Sequence, residues 1–334
     1  MSAEKIAASG ETTCKSPKAS NGLVQKIIEQ RALTLLITIV LLVLVLSLCL
    51  PYFASFDNMA AILLNLSLDG IICVGMMICM VGGFFDLSVG SNVALSGAIT
   101  AYCLKFLGLN VPVSIILGLA ASSLGGFING VFTAKVGVNA LITTLATMGI
   151  MRGFSILVSG AGITFLPESF TKLGQTVFLG LQSPVWVMFA IALAGGVMLA
   201  KSRYLRQFYY VGGNEKAATL SGINSARMKI VGFMITGFLA GVAGVLQAAR
   251  LGTAMSTAGI GQELRVITAV IIGGASLNGG KGTIAGALLG ALFMALVNNA
   301  MIIAGVSVYW QSIVIGIVLL AAVSLDVVMG KKSR

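Results

Sequence analysis

The chain has 334 residues, of which 57% are hydrophobic and only 9% are charged. Soluble domains carry about 25% charged residues, so this composition excludes an ordinary soluble protein and predicts an integral protein of a lipid bilayer. The net charge of +11 does not require a nucleic-acid partner, because lysine and arginine accumulate in the cytoplasmic loops of membrane proteins.

Two further absences limit the chemistry that the chain can carry out. Histidine is missing, and the five cysteines show no metal-ligand spacing. Histidine is the usual acid–base group near neutral pH and the commonest metal ligand, and paired cysteines are a usual sign of a zinc or redox site. We therefore expect a protein that is not an enzyme and that holds no metal or cofactor of its own.

Ten apolar segments follow one another along the chain. A helix needs roughly 20 residues to cross the hydrocarbon core of a bilayer, and most of the segments have about that length. The ten segments are 32–53, 58–82, 86–108, 111–134, 138–160, 184–200, 230–249, 262–276, 282–304 and 307–328. The third opens polar and glycine-rich and the eighth is short, so we expect some broken or short helices of the kind that line a cavity.

These segments predict an all-α polytopic fold of about ten transmembrane helices. The single membrane domain occupies 32–328, between cytoplasmic tails at 1–31 and 329–334. Ten crossings put both termini on one side of the membrane. With the N-terminus inside, most of the 21 lysine and arginine residues fall in cytoplasmic segments, which predicts the orientation N-in, C-in.

Polar side chains within the apolar segments are the candidates for a translocation path. Asp69 lies in the middle of the second segment, where burying an ionisable group costs at least about 2.5 kcal/mol; it either serves transport or holds helices together by hydrogen bonds. Thr143 and Thr147 share a helix face and either bond back to helix carbonyls or line a polar pore. The candidates are Asn65, Asp69, Asn92, Thr143, Thr147, Asn298, Asn299 and Gln311.

The stretch 82–98 combines glycines with Asp86. A carboxylate beside a crossing is costly unless it is hydrated, paired or capping a helix. Asp86 either caps, through its side-chain oxygen, a helix that starts at Leu87, or it belongs to the substrate path. A similar glycine pattern at 273–279 suggests an internal repeat.

The longest polar stretch between the first apolar segment and the basic C-terminal tail is 201–229. Within it, 214–221 carries the signals of a short helix: Asn214 can cap the first N–H groups, Glu215 suits the positive first turn, and Gly222 suits the left-handed position after the end. An isolated helix needs roughly 12–15 residues to be even marginal in water. We therefore expect a partner protein to hold it.

The stretch 261–283 ends in a glycine-rich sequence that superficially suggests a phosphate-binding loop. That motif requires Gly-Lys followed directly by Ser or Thr, whereas here Gly282 follows Lys281. We therefore expect that this chain does not bind ATP itself.

Three motifs, at 86–91, 212–222 and 273–282, resemble in their order the signatures of ABC-type sugar importer permeases, and the resemblance covers roughly residues 45 to 328. Within that family the chain is most similar to the ribose and L-arabinose permeases. Asp69 departs from the neutral side chain that is expected at its position.

The resemblance implies the permease subunit of an ATP-driven importer of a monosaccharide, such as the pentoses L-arabinose or ribose, in the bacterial inner membrane. It implies three partners: a second permease copy, giving a homodimer; a cytoplasmic subunit that binds ATP with magnesium; and an external sugar-binding protein. Little sugar affinity is expected in the permease itself. The short helix would couple to the ATPase through Gly213, Asn214, Glu215, Ala217, Ala218, Leu220, Ser221 and Gly222.

The alternative is an ion- or proton-coupled secondary transporter that uses Asp69 as its relay, and a passive channel is a third class. Neither class needs a capped cytoplasmic docking helix, so the sequence favours the importer. An uncoupler that stops uptake while ATP remains would identify proton coupling.

Overall fold

The computed structural model describes residues 21–332, so residues 1–20 and 333–334 of the predicted tails lie outside the described part. The described residues are mainly helical. The helices are α1 (Asn21–Cys49), α2 (Phe56–Val81), α3 (Val89–Lys105), α4 (Val111–Val131), α5 (Ala140–Ser159), α6 (Glu168–Gln175), α7 (Ser183–Lys201), α8 (Gln207–Gly213), α9 (Glu215–Leu220), α10 (Ser225–Leu251), α11 (Gln262–Ile272), α12 (Ile284–Ile303) and α13 (Val308–Lys332). A π-helical turn, Phe132–Val136, follows α4, and the short strands β1 (Val177–Phe178) and β2 (Leu181–Gln182) pair antiparallel between α6 and α7.

Each of the ten predicted segments contains a helix. Within the described residues, seven helices are long and apolar enough to cross a membrane, namely α1, α2, α4, α5, α7, α10 and α12. The two segments expected to be irregular form the shorter helices α3, with 17 residues, and α11, with 11 residues. At 1.5 Å per residue α11 is about 16 Å long, roughly half of the hydrocarbon core. The all-α polytopic membrane fold is confirmed, and the count of ten crossings stays a prediction.

Side-chain caps define the start of many of these helices. The first N–H groups of a helix have no partner within it, and an unsatisfied N–H is especially costly where no water is present. Side-chain oxygens accept hydrogen bonds from these N–H groups at Ser55, Asn110, Asn139, Asn214, Asn224 and Thr283.

The centre of the bundle consists of α2, α3 and α10. Helix α2 is buried over most of its length, between α7, α10, α11 and α12, and nearly all of α3 is buried against α4, α5 and α10. Helix α1 packs against α12, and of its described side chains only Ile39 is buried. The most buried helices are therefore those at the centre, and α1 presents an apolar surface to its surroundings.

The central helices approach one another closely through glycines on α10. At Gly244 a side chain would collide with the main chain of α3 at Val93, and at Gly237 it would collide with α4 at Ser122. Small residues at such interfaces let helix backbones pack tightly where lipid offers no hydrophobic driving force. These contacts fix how α10 is rotated relative to its neighbours.

We predict that Gly244→Ala destabilises the fold, because its methyl group meets the main chain of Val93 and overpacking costs about 1–3 kcal/mol. Gly149→Ala on α5 is the matched control, since a methyl group there meets nothing within 4 Å and alanine favours a helix over glycine by roughly 0.5–1 kcal/mol. Thermal unfolding of the two purified variants in detergent measures this difference. Equal melting temperatures would contradict the packing argument.

Candidate functional site

A polar cavity of about 450 Å³ lies among α2, α3, α10, α11, α12 and the segment 253–260. It borders the end of α10 at Leu251 and the end of α12 at Ile302. Helix α9 lies at the other end of the bundle, where Thr219 hydrogen-bonds Ser225 in the first turn of α10. The molecule therefore has two distinct candidate sites, the cavity and the surface around α8 and α9, at opposite ends.

Asp69 lies at the deep part of the cavity, halfway along α2. Its Oδ1 accepts a hydrogen bond of 2.7 Å from Nε2 of Gln262, and its Oδ2 lies 3.5 Å from Nε of Arg265. Both partners belong to α11, so this carboxylate joins α2 to α11. The contacts agree with the hypothesis that Asp69 holds helices together, and its position in the cavity agrees with the hypothesis of a role in transport.

Three carboxamides line the same cavity, Asn65 on α2, Gln247 on α10 and Asn298 on α12. Asn65 is one turn before Asp69, so both face the cavity from the same side of α2. In the part of the chain that the structure describes, none of the three carboxamides hydrogen-bonds another side chain or the main chain. Of the path candidates, the structure brings together Asn65, Asp69 and Asn298.

Three other path candidates belong to a separate buried cluster around Asn129 of α4. Thr147 donates to Oδ1 of Asn129 at 2.6 Å, and Nδ2 of Asn129 donates to Oγ of Ser88 at 2.9 Å. Asn92 donates to the same Ser88 oxygen at 3.3 Å, and Thr143 lies one turn before Thr147 on α5. These side chains join α3, α4 and α5 and do not line the cavity.

Asp86 also belongs to this cluster. Its Oδ1 accepts hydrogen bonds from the main-chain N–H and the hydroxyl of Ser88 at 2.8 and 2.6 Å. The contact is local, as the capping hypothesis expected, but α3 starts at Val89 and its N-cap residue is Ser88, so Asp86 does not cap a helix that starts at Leu87. The side chain is fully buried and does not line the cavity, so its contacts here are structural.

The last two path candidates have structural partners as well. Asn299 exchanges two hydrogen bonds with Asn58, at 2.8 and 3.1 Å, which joins α12 to α2. Gln311 donates to the main-chain oxygen of Val306 at 3.2 Å, just before α13. Neither residue lines the cavity, although Asn299 is the immediate neighbour of Asn298.

At the opposite end, α9 has the boundaries that the sequence predicted. Oδ1 of Asn214 accepts from the N–H of Ala217 at 3.0 Å, and Gly222 has a φ of 84° after the helix end. Ala218 is buried, whereas Leu220 exposes 90% of its surface. The other coupling candidates are exposed: Gly213, Asn214, Glu215, Ala217, Ser221 and Gly222. An exposed leucine on a short capped helix is an apolar contact point for a partner.

Three glycine-rich segments meet beneath α9, and we call their contact the glycine junction: Gly83 after α2, Gly212 in α8, and Gly280 before α12. The N–H of Gly280 donates to the main-chain oxygen of Val81 at 2.8 Å. A side chain at Gly212 would collide with that same oxygen and with the N–H of Gly280. The main chains of three elements are therefore in direct contact, with no side chains between them.

Tyr209 of α8 adds a side-chain hydrogen bond to the glycine junction. Its hydroxyl donates to the main-chain oxygen of Gly282 at 2.8 Å. Burial raises the pKa of this phenol, so the hydroxyl stays protonated and remains a donor at neutral pH. Nothing in the sequence predicted this contact, which joins α8 to the start of α12.

The internal repeat suggested by the glycine patterns at 82–98 and 273–279 has a structural counterpart at the ends of α2 and α11. Gly83 and Gly274 follow α2 and α11 with φ of 85° and 95°, a left-handed conformation that favours glycine. In each case the next N–H, of Phe84 or Ala275, donates to the carbonyl five residues earlier at 3.1 Å. The two helices thus end in the same Schellman-type cap.

Sequence analysis did not identify Gln247, Gln262 or Arg265 as cavity residues. The signal for the α11 pair was available, since Gln262 and Arg265 are three residues apart and share a helix face. The described residues contain no group of three or more His, Cys, Asp or Glu that could hold a metal.

Comparison with known proteins identifies relatives over most of the chain. Residues 58–323 match the family described as the permease component of a branched-chain amino acid transport system. The chain is 39% identical over 305 residues to the ribose import permease protein of Escherichia coli (strain K12), covering 90% of this chain and 94% of the relative. It is 38% identical over 289 residues to the L-arabinose transport system permease protein of the same strain, covering 85% and 87%. No solved structure matches the chain.

We predict that Gly212→Ala loosens the glycine junction, because its methyl group collides with the main chain of Val81 and Gly280. Hydrogen exchange in residues 207–224 should then rise at least about tenfold, as local opening becomes easier. Gly213→Ala is the matched control, since a methyl group there meets nothing within 4 Å. Exchange in α5 should be unchanged in both variants. The idea fails if the two variants exchange alike in residues 207–224.

Proposed function

This chain belongs to the ABC-type sugar importer permease family, and we propose that it is the membrane subunit of an ATP-driven, binding-protein-dependent importer of a monosaccharide, in the first instance L-arabinose or ribose. The observation that carries this proposal is the similarity, over about 85–90% of the chain, to permeases named for those two pentoses. As a multi-pass protein of the bacterial inner membrane, the chain would provide the path for the sugar. ATP with magnesium would be bound and hydrolysed by a separate subunit.

We infer the orientation N-in, C-in with ten crossings, which would put α8 and α9 in the cytoplasm. The concentration of basic residues in 201–229 supports this orientation. The cavity would then open toward the outer side, where an external binding protein could deliver the sugar. A second copy of the chain would complete the membrane part as a homodimer.

The coupling step follows from the exposure and attachment of α9. Leu220 would fill a groove on the ATPase, since an amphipathic helix binds a partner through its exposed apolar residues. When the ATPase subunits close on ATP, α9 would move with them. The glycine junction would pass this movement directly to the end of α2 and to the start of α12, because their main chains are already in contact.

The rival hypothesis, a proton relay at Asp69, receives less support. Asp69 already has an amide donor in Gln262 and a cationic neighbour in Arg265. A secondary transporter also has no use for the capped α9 helix.

The function is tested by reconstituting the permease with its ATPase and binding protein in proteoliposomes. We expect L-arabinose or D-ribose to stimulate ATP hydrolysis and uptake, and L-leucine to stimulate neither. Uptake should continue when an ionophore collapses the proton gradient. Uptake that needs no ATPase and stops with the ionophore would identify the secondary transporter.

We predict that Glu215→Lys lowers sugar-stimulated ATP hydrolysis at least about tenfold, since interface hot spots dominate binding. The substitution removes the ion pair in which Oε1 of Glu215 lies 2.6 Å from Nζ of Lys229. It also puts a positive charge at the positive end of α9. Co-purification of the ATPase with the permease measures the same loss directly.

Glu168→Lys is the matched control for Glu215→Lys. Glu168 also lies in the first turn of a short helix and pairs with a lysine, Lys172, at 3.0 Å. Its helix, α6, packs near the other end of α10, away from α9. Retention of the ATPase by the Glu215→Lys variant, at the level of the control, would refute the docking role.

A further inference from the structure

We propose that the cavity of the permease is itself a low-affinity binding site for a neutral polyhydroxylated ligand, a single monosaccharide. This inference rests on the proposed function and adds a site to it: the sugar would stop inside each permease chain before it crosses. The external binding protein would then supply most of the affinity, and the cavity would supply a second check on the ligand.

The size of the cavity fits such a ligand. Ligand pockets have volumes of about 300–1,000 Å³, and this cavity has about 450 Å³. That volume holds one monosaccharide with a few waters and is small for a disaccharide. Because the walls come from five helices, the volume depends on how α2, α10, α11 and α12 are arranged around it.

Unsatisfied carboxamides are the first evidence for the class of ligand. Asn65, Gln247 and Asn298 come from three different helices, and among the described residues none has a hydrogen-bond partner. Asn65 is exposed and Gln247 and Asn298 are half-buried, so all three amides are open to water or to a ligand in the cavity. Each offers a donor and an acceptor, which matches the hydroxyl groups of a sugar.

The charged pair is the second piece of evidence. Asp69 and Arg265 neutralise each other, yet Nε of Arg265 is buried without a hydrogen-bond acceptor in the described part of the chain. A sugar hydroxyl can donate to the carboxylate and accept from the guanidinium at the same time, forming charge-assisted hydrogen bonds. A free amino acid carries an ammonium and a carboxylate group, so its recognition would need Asp69 and Arg265 apart, each facing the group of opposite charge.

An anionic sugar is the remaining competitor. Arg250 also lines the cavity, near the end of α10, and adds a positive charge there. At the deep end, however, an anion meets the carboxylate of Asp69. A neutral sugar avoids this repulsion and still uses both groups of the pair.

The floor of the cavity explains why a ligand would stop there. From Ile71 to Val81 every residue of α2 is buried, and Val266 and Val270 of α11 are fully buried on the same side of the cavity. On the side of α3, the main chains of Gly90 and Gly259 are in contact. The described chain is therefore closed between the cavity and the glycine junction.

The test is direct binding to the purified full-length permease in lipid nanodiscs, without ATPase or binding protein. The probes are D-ribose, L-arabinose, L-leucine and D-galacturonate, and saturation-transfer NMR measures their dissociation constants. We expect one of the pentoses to bind with a constant on the order of 1–10 mM. Leucine and galacturonate should bind at least about tenfold more weakly. Absence of saturable sugar binding, or equally tight binding of leucine or galacturonate, would overturn the inference.

Adjacent asparagines on α12 provide the matched variants. Asn298→Ala should weaken sugar binding about five- to tenfold, since it removes hydrogen bonds to the ligand. Asn299→Ala should leave the affinity unchanged, because its partner is Asn58 outside the cavity, although it should lower the melting temperature. Asp69→Asn should also weaken sugar binding. If the Asp69→Asn variant does not purify as a folded protein, Asn65→Ala is tested in its place. Equal sugar affinities for the Asn298 and Asn299 variants would count against this site.

ATP hydrolysis by the reconstituted transporter separates this inference from the proposed function. If sugar stimulates hydrolysis but the isolated permease binds none, the cavity site is wrong and the importer stands. If no sugar stimulates hydrolysis yet the isolated permease binds sugar through Asn298, the cavity site stands and the importer is wrong.

Discussion

At the glycine junction the main chains of three elements touch directly, and this contact determines how α8 and α9 are attached to the bundle. Gly83, Gly212 and Gly280 bring three elements together with no side chains between them, so no flexible group can absorb a displacement of α8 and α9. Helix α2 ends at this contact, and it is unbroken from Asp69 to Val81, a length of about 18 Å at 1.5 Å per residue. The short helix α9 is thereby attached to the wall of the cavity through one rigid, buried element.

The interior of the bundle imposes a second constraint, because polar groups there must find partners. Three asparagines show how different the outcome can be. Asn299 pairs reciprocally with Asn58, Asn129 connects Thr147 to Ser88, and Asn298 has no partner among the described residues and faces the cavity. What distinguishes a structural asparagine from a candidate binding asparagine is therefore its neighbours, not its type or its depth.

This distinction explains how far the sequence could predict the site. Capping signals are local, so Asn214 and Gly222 sufficed to locate α9, and apolar length sufficed to locate the helices. Which face of a crossing is turned toward the cavity depends on contacts between distant segments, such as that of Gly244 with Val93. Polarity alone therefore grouped Asn92, Thr143 and Thr147 with Asn65 and Asp69, which the fold separates. Gln262 and Arg265 were missed as cavity residues because they act only once α11 packs beside α2.

The matching caps of α2 and α11 connect the two ends of the molecule. Both helices end in a glycine pair of the same geometry, and the chain that follows each cap enters the glycine junction at Gly83 or Gly280. Toward their other ends, the same two helices are joined by Asp69 and Arg265. Any sliding of α2 against α11 at the junction must therefore change the 3.5 Å separation of that ion pair. Because packed helices shift between discrete arrangements, a movement of α9 that displaced this end of α2 would reach the ion pair at the base of the cavity without direct contact.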